Sequence, residues 1–278
     1  MKKKTRRKFS PVRGIINLFV ILAATVSIIP FVLMFLMSTQ NNQTIFAGDI
    51  LSIGNSLAAN FQTILDADYF RALQNSLIVA VSSTVLTVFF GAMAGFGFAK
   101  YNFKHKNLVF QLVLLTMMVP MEVGLVAFVW EMRVLHLSKT FLPLILPNIA
   151  NAFGVFWMTQ YIRDAFPYEL MESGRLDGCT DMGIFLRMVL PIIKPAIFTL
   201  SVIAFLQSWN NYLLPMIMIN DPKKFTVPLV IASIGNMFVA DYGARILAVV
   251  VGILPIMIVF IIFSRQITEG LASGAVKG

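Results

Sequence analysis

From Arg163 to Ile197 the chain reads RDAFPYELMESGRLDGCTDMGIFLRMVLPIIKPAI, a charged, turn-rich stretch between two long apolar runs. Pro167 can open a helix, because the amide it lacks would be unsatisfied there, and Glu169 and Glu172 complement the positive end that follows. Asp177-Gly178 supplies the turn that stops it. Thr180 or Asp181 can cap a second helix, with Ile184, Phe185, Met188 and Val189 on its apolar face, until Pro191 and Pro195 break it. The stretch therefore predicts a short helix projecting between two membrane spans. A merely interfacial loop would explain the amphipathicity but would not require a turn at this place.

Outward from this loop, the composition belongs to a membrane protein. Of 278 residues, 58% are hydrophobic and 13% charged, whereas a soluble domain carries about 25% charged residues. A bilayer core needs about 20 apolar helical residues, and such stretches lie at Ile15–Met37, Asn75–Ala99, Leu108–Val129, Phe141–Ile162, Ala196–Ile219 and Ala244–Ser264. The first exceeds the roughly 7–15 residues of a signal-peptide core, and no small-residue cleavage site follows, so it reads as an anchor. Sixteen of the 22 Lys and Arg fall on the side of the 163–195 loop. By the positive-inside rule that side is cytoplasmic.

The predicted fold is all-α: six transmembrane helices with both termini in the cytoplasm. Residues 1–14 form a basic N-terminal segment, 15–37 the first helix, 38–74 an external segment, 75–264 a five-helix core with the loop 163–195, and 265–278 a tail. The net charge of +9 raises nucleic acid as a partner, but the basic residues flank apolar runs and fit a lipid bilayer instead. Cys179 is the single cysteine and there are two histidines, which excludes an internal disulfide and a Cys/His metal cluster.

Pro30, Pro120, Pro143, Pro147, Pro215 and Pro255 fall in or near the spans, where each bends or interrupts its helix, for packing or for a transport pathway. Gly91 and Gly95 form a small-xxx-small pair that lets a neighbouring helix approach. Polar residues at membrane depth are costly and are candidates for function. They are Gln111, Glu122, Asn148, Asn151 and the cluster Gln207, Trp209, Asn210, Asn211, Tyr212. Amides and an indole suit uncharged hydroxylated solutes, while helix–helix hydrogen bonding and an aromatic belt explain the same residues without a solute. Glu122, the one acid in a predicted span, could bond a hydroxyl, couple to a proton, or be solvated at the interface. No phosphate loop, H-E-x-x-H or G-x-S-x-G is present, so a self-contained enzyme site finds no support.

The loop also resembles a known family. The E-A-A-x-x-x-G and I-x-L-P pattern of permease subunits of binding-protein-dependent ABC importers maps onto Glu172, Ser173, Gly174 and Gly178, then Met188-Val189-Leu190-Pro191. Ser173-Gly174 stand for Ala-Ala, a departure that keeps small residues, and Met188 stands for Ile. Gly174-Arg175-Leu176-Asp177-Gly178 strengthens the match. Ser208-Trp209-Asn210 through Pro215 resembles the S-W-N-x-[FY]-L-x-P stretch of the carbohydrate-uptake class, and the ending resembles the maltose-type second permease subunit. The resemblance implies a second permease subunit, two ATPase subunits and an extracytoplasmic solute-binding protein, in a bacterial-type cell membrane. This chain would bind no cofactor; ATP and Mg would sit on the ATPase. Glu169, Glu172, Ser173, Gly174, Asp177 and Gly178 would couple to the ATPase, and Gly274, Ala275, Val276, Lys277 and Gly278 would reach toward it. The alternative from another class is a proton-coupled secondary transporter using Glu122.

Overall fold

A computed structural model describes residues 11–235 and 240–275, with side chains described only up to residue 263 at the C-terminal end. Its longer helices are α1 (Pro11–Met37), α2 (Leu57–Asp66), α3 (Tyr69–Lys100), α4 (Lys106–Thr116), α5 (Leu125–Val134), α6 (Ala152–Ala165), α7 (Tyr168–Leu176), α8 (Lys194–Trp209) and α9 (Tyr242–Ala275). No strand occurs among the described residues; an isolated bridge joins Gly235 and Ala240.

Among the described residues four helical stretches are long and apolar enough to cross a membrane: Gly14–Met37, Tyr69–Lys100, Leu142–Ala165 and Tyr242–Phe263. A fifth is bent, the Asp181–Ile192 segment meeting α8 at 80°. The expected third span, Leu108–Val129, is interrupted at Pro120: α4 stops at Thr116, a 3₁₀ turn runs from Met121 to Gly124, and α5 resumes. Proline offers no amide donor and forces its predecessor out of helix. The expected fifth span, Ala196–Ile219, is divided where α8 ends at Trp209 and a short helix begins at Leu213. By contrast α1 runs through Pro30 and α9 through Pro255.

The chain divides into two compact units, one from residues up to 67 with Ser233–Val251 and the other from Asp68–Ala232 with Gly252 onward. In the first, α1 exposes its apolar side chains from Ile15 to Phe35 on all faces, as a helix surrounded by hydrocarbon does. A polar knot follows it. The buried Gln40 donates its amide to the carbonyls of Asp49 and Ser52, both at 2.7 Å, and Asn60 donates to those of Ser38 and Gln40, both at 2.9 Å.

In the second unit α3 packs against α6 and α8. Gly91 faces the backbone of Gly154, and Gly95 faces Met158 and Thr159, so the small-residue pair sets the α3–α6 approach. The two ends of α3 mark opposite faces. Near its start Asn75 donates to the carbonyls of Lys223 and Phe225 at 3.0 and 2.9 Å; at its end Lys100 donates to that of Arg163 at 3.4 Å. At 1.5 Å per residue these anchors lie roughly 38 Å apart along the helix, enough to span a bilayer.

Candidate functional site

At the Asn75 end of the second unit, α3, α8 and the segments 144–151 and 211–226 enclose a cavity of about 220 Å³. Its polar lining is Ser76, Asn148, Asn151, Gln207, Ser208, Asn211 and Thr226; no charged side chain contributes. The asparagines are there because helices end there. Asn151 caps α6, accepting from the Gly154 amide at 2.7 Å, and Asn211 accepts from the Leu214 amide at 3.2 Å where the chain restarts after α8. Asn148 donates to the Leu144 carbonyl at 2.9 Å and to Ser83 Oγ at 3.3 Å. Each such bond leaves part of an amide free: the Nδ2 groups of Asn151 and Asn211 and the Oδ1 of Asn148 have no partner among the described residues. Gln207 uses neither end of its amide, and the buried Thr226 hydroxyl is unpaired.

Of the sequence candidates, Asn148, Asn151 and Asn211 meet in this cavity. Trp209 does not line it: it is buried and stacked on Phe205, with centroids 5.4 Å apart, because residues four apart share a helix face. Asn210 is exposed outside the cavity, and Gln111 is exposed on α4. Glu122 is exposed on the 3₁₀ turn after Pro120. Ser76 and Thr226 were not legible, since a lone hydroxyl in an apolar run carries no positional signal.

At the opposite end lies the loop. Helix α7 begins directly after Pro167 and ends at Leu176. The Cys179 amide donates to the Gly174 carbonyl at 2.9 Å and the Gly178 amide to that of Arg175 at 3.0 Å. With Gly178 at φ +79°, this is a Schellman stop, in which a left-handed residue closes the last turn. Thr180 caps the next helix, accepting from the Gly183 amide at 3.1 Å. Asp181 pairs with Arg175 at 3.1 Å, and that hydrogen bond holds its carboxyl below the usual carboxylate range. Burial raises the phenol of Tyr101, which packs under the Arg175 guanidinium, 5.7 Å from ring centroid to carbon.

The loop is fastened to the interior. Met171, Ile184 and Phe185 join a core with Phe96, Met158, Ile162 and Phe166, and Gly174 lets Met188 and Ile184 close over α7. The other face points outward: Glu169, Glu172, Ser173, Asp177 and Gly178 are exposed, and Leu176 is 88% exposed. α7 thereby shares one core with α3, α6 and α8. Among the tail candidates, Gly274 and Ala275 lie in the last turn of α9 with side chains not described, while Val276, Lys277 and Gly278 lie outside the described residues, as do most of the basic N-terminal residues.

Broken spans around a neutral polar cavity, joined through a common core to an exposed helix at the opposite end, are the arrangement expected of a membrane transport subunit. Residues 87–272 match the model of the binding-protein-dependent transport system inner membrane component family, and the chain belongs to that family. It is 40% identical over 210 residues to the arabinooligosaccharides transport system permease protein AraQ of Bacillus subtilis, covering 76% of this chain and 74% of that one. It is 31% identical to the lactose transport system permease protein LacG of Rhizobium radiobacter, covering 92% and 93%. A bacterial ABC transporter involved in the import of the acidic polysaccharide alginate contains a chain of the same fold, with TM-score 0.77 and 20% identity over 96% of this chain and all of that one.

The chain is thus a multi-pass permease subunit of an ATP-driven importer, a transport component rather than an enzyme. Family membership brings a further permease, an ATPase and a solute-binding protein as partners in general terms. It does not favour proton coupling through Glu122.

Proposed function

We propose that this permease passes an uncharged sugar or oligosaccharide, and that α7 seats in a groove of a separate ATPase subunit. The neutral, amide-rich cavity carries the reading: free donors and acceptors without a charged group complement hydroxyls, and several relatives carry names of sugar transport systems. Two ATPase subunits hold ATP and Mg, and their closure moves α7. The shared core passes that movement to α3, α6 and α8, which rock between inward-facing and outward-facing states. A second permease subunit completes the pathway, and the tail from Gly274 to Gly278 supplies a further ATPase contact.

Gln207 is the cleanest probe of the solute role, because its side chain supports no helix end. Gln207→Leu is expected to raise the KM for sugar uptake about fivefold, the worth of one hydrogen bond of about 1 kcal/mol, with recovery of the complex unchanged. Uptake kinetics in proteoliposomes, with the binding protein supplied, check this. Unaltered kinetics in Gln207→Leu and also in Asn211→Ala would remove the cavity from the solute path.

A further inference from the structure

A second pocket, of about 350 Å³, lies among the last turn of α5 and the segments 138–140 and 217–224. Arg133, Lys139, Lys224 and Asp221 supply its charges, with Ser138 and Thr140 beside them. The position is on the face of Asn75, away from α7, because Asn75 holds the carbonyls of Lys223 and Phe225. This is the exterior by the charge bias.

External positive charge is scarce in this chain. Arg71, Arg133, Lys139, Lys223, Lys224 and Arg245 are the Lys and Arg on that side, and three of them line this one pocket. Among the described residues the Arg133 guanidinium and the Lys139 ammonium make no hydrogen bond or ion pair. Lys224 donates to the Lys139 carbonyl, a neutral acceptor. The single lining carboxylate, Asp221, accepts from the Lys223 backbone amide at 3.0 Å and forms no ion pair among the described residues. Glu131, on α5, is two residues from Arg133, a spacing that puts the two on different faces. Three cations confront one carboxylate in a recess of small-molecule size, and a neutral solute has no use for them.

We infer that this pocket is a docking socket for a carboxylate side chain of the extracytoplasmic solute-binding protein. The partner class follows from the family, whose transport depends on a binding protein, and the chemistry from the charge. Unpaired cations in a recess attract an acidic group from a distance and then donate direct hydrogen bonds to its carboxylate. The pocket is separate from the neutral cavity, so docking and solute recognition use different residues.

The inference rests on the importer reading, and one experiment separates the two. The complete transporter, with all its permease and ATPase subunits in nanodiscs, is titrated with its own binding protein, and the association rate is followed at low and high ionic strength. Arg133→Glu, Lys139→Glu and Lys224→Glu, singly and together, are expected to slow association about tenfold or more at low salt and to flatten its salt dependence. Size-exclusion recovery of the complex controls for assembly; should the triple variant fail to assemble, Lys139→Gln and Lys139→Glu, at an exposed loop position, decide. Wild-type rate and salt dependence in assembled variants would overturn the socket and leave the importer intact. So would a defect confined to anionic solutes with association unchanged, which would give the pocket to the solute. A wild-type complex that never binds the protein would overturn the importer reading itself.

Discussion

Replacing Gly95 by leucine is expected to abolish recovery of folded protein. A Cβ at this position would stand 2.7 Å from Met158 Cβ and 2.9 Å from both the Met158 carbonyl carbon and the Thr159 amide nitrogen. Two of these are backbone atoms, so relief requires the helices themselves to separate. Overpacking a core by a methylene or so already costs about 1–3 kcal/mol, and leucine adds four carbons where none fits. Inside a membrane the loss is sharper, because helix association there depends on close packing rather than on a hydrophobic force between helices. Gly97→Leu, two residues on, is the matched control: nothing lies within 4 Å of its would-be Cβ. Size-exclusion profiles in mild detergent should show a monodisperse peak for Gly97→Leu and none for Gly95→Leu.

Gly178→Leu is expected to do something different: leave the protein in the membrane and disconnect it from its energy source. At φ +79° a side chain costs roughly 1–2 kcal/mol, and adopting a relaxed backbone would break the Schellman bonds and swing Leu176 and Asp177 away from their present direction. A docking penalty of about 1.4 kcal/mol lowers occupancy tenfold, so uptake should fall at least that far while the complex still hydrolyses ATP. Glu172→Lys, on the exposed face of α7, should act in the same direction. Gly174→Ala should not, since the added methyl meets the Met188 sulfur at 2.9 Å, the movable part of a flexible side chain, and alanine gains about 1 kcal/mol of helix propensity. Parallel measurement of uptake and hydrolysis in proteoliposomes distinguishes these cases.

The loop was legible in detail because its signals are local. Pro167, Thr180 and Asp177-Gly178 each dictate a backbone event within four residues, and the helix start, cap and stop lie at those residues. What α7 rests on was not legible: Met171 reads as one apolar residue among charged ones, and its burial in the core that holds Phe96 and Ile162 is a tertiary fact. The 80° bend at Ile193 falls between Pro191 and Pro195, and the π turn at Phe185–Val189 just before it carries no sequence signal. Hydropathy placed the apolar runs but smoothed over their breaks, because Leu108–Val129 is apolar on both sides of Pro120. In the cavity the asparagines stood out as costly groups at depth. Ser76 and Thr226 did not, and Trp209, conspicuous in sequence, turned inward onto Phe205.

Coupling through α7 is the central claim, and Leu176 offers the most direct test, being an apolar side chain left 88% exposed in the last turn of that helix. A photoreactive amino acid at position 176, irradiated in native membranes and analysed by mass spectrometry, should yield one protein adduct, an ATPase subunit. Its yield should change when ATP turnover is trapped. An adduct to lipid alone, or to a protein without an ATP-binding site, would contradict the assignment of α7 as the coupling helix.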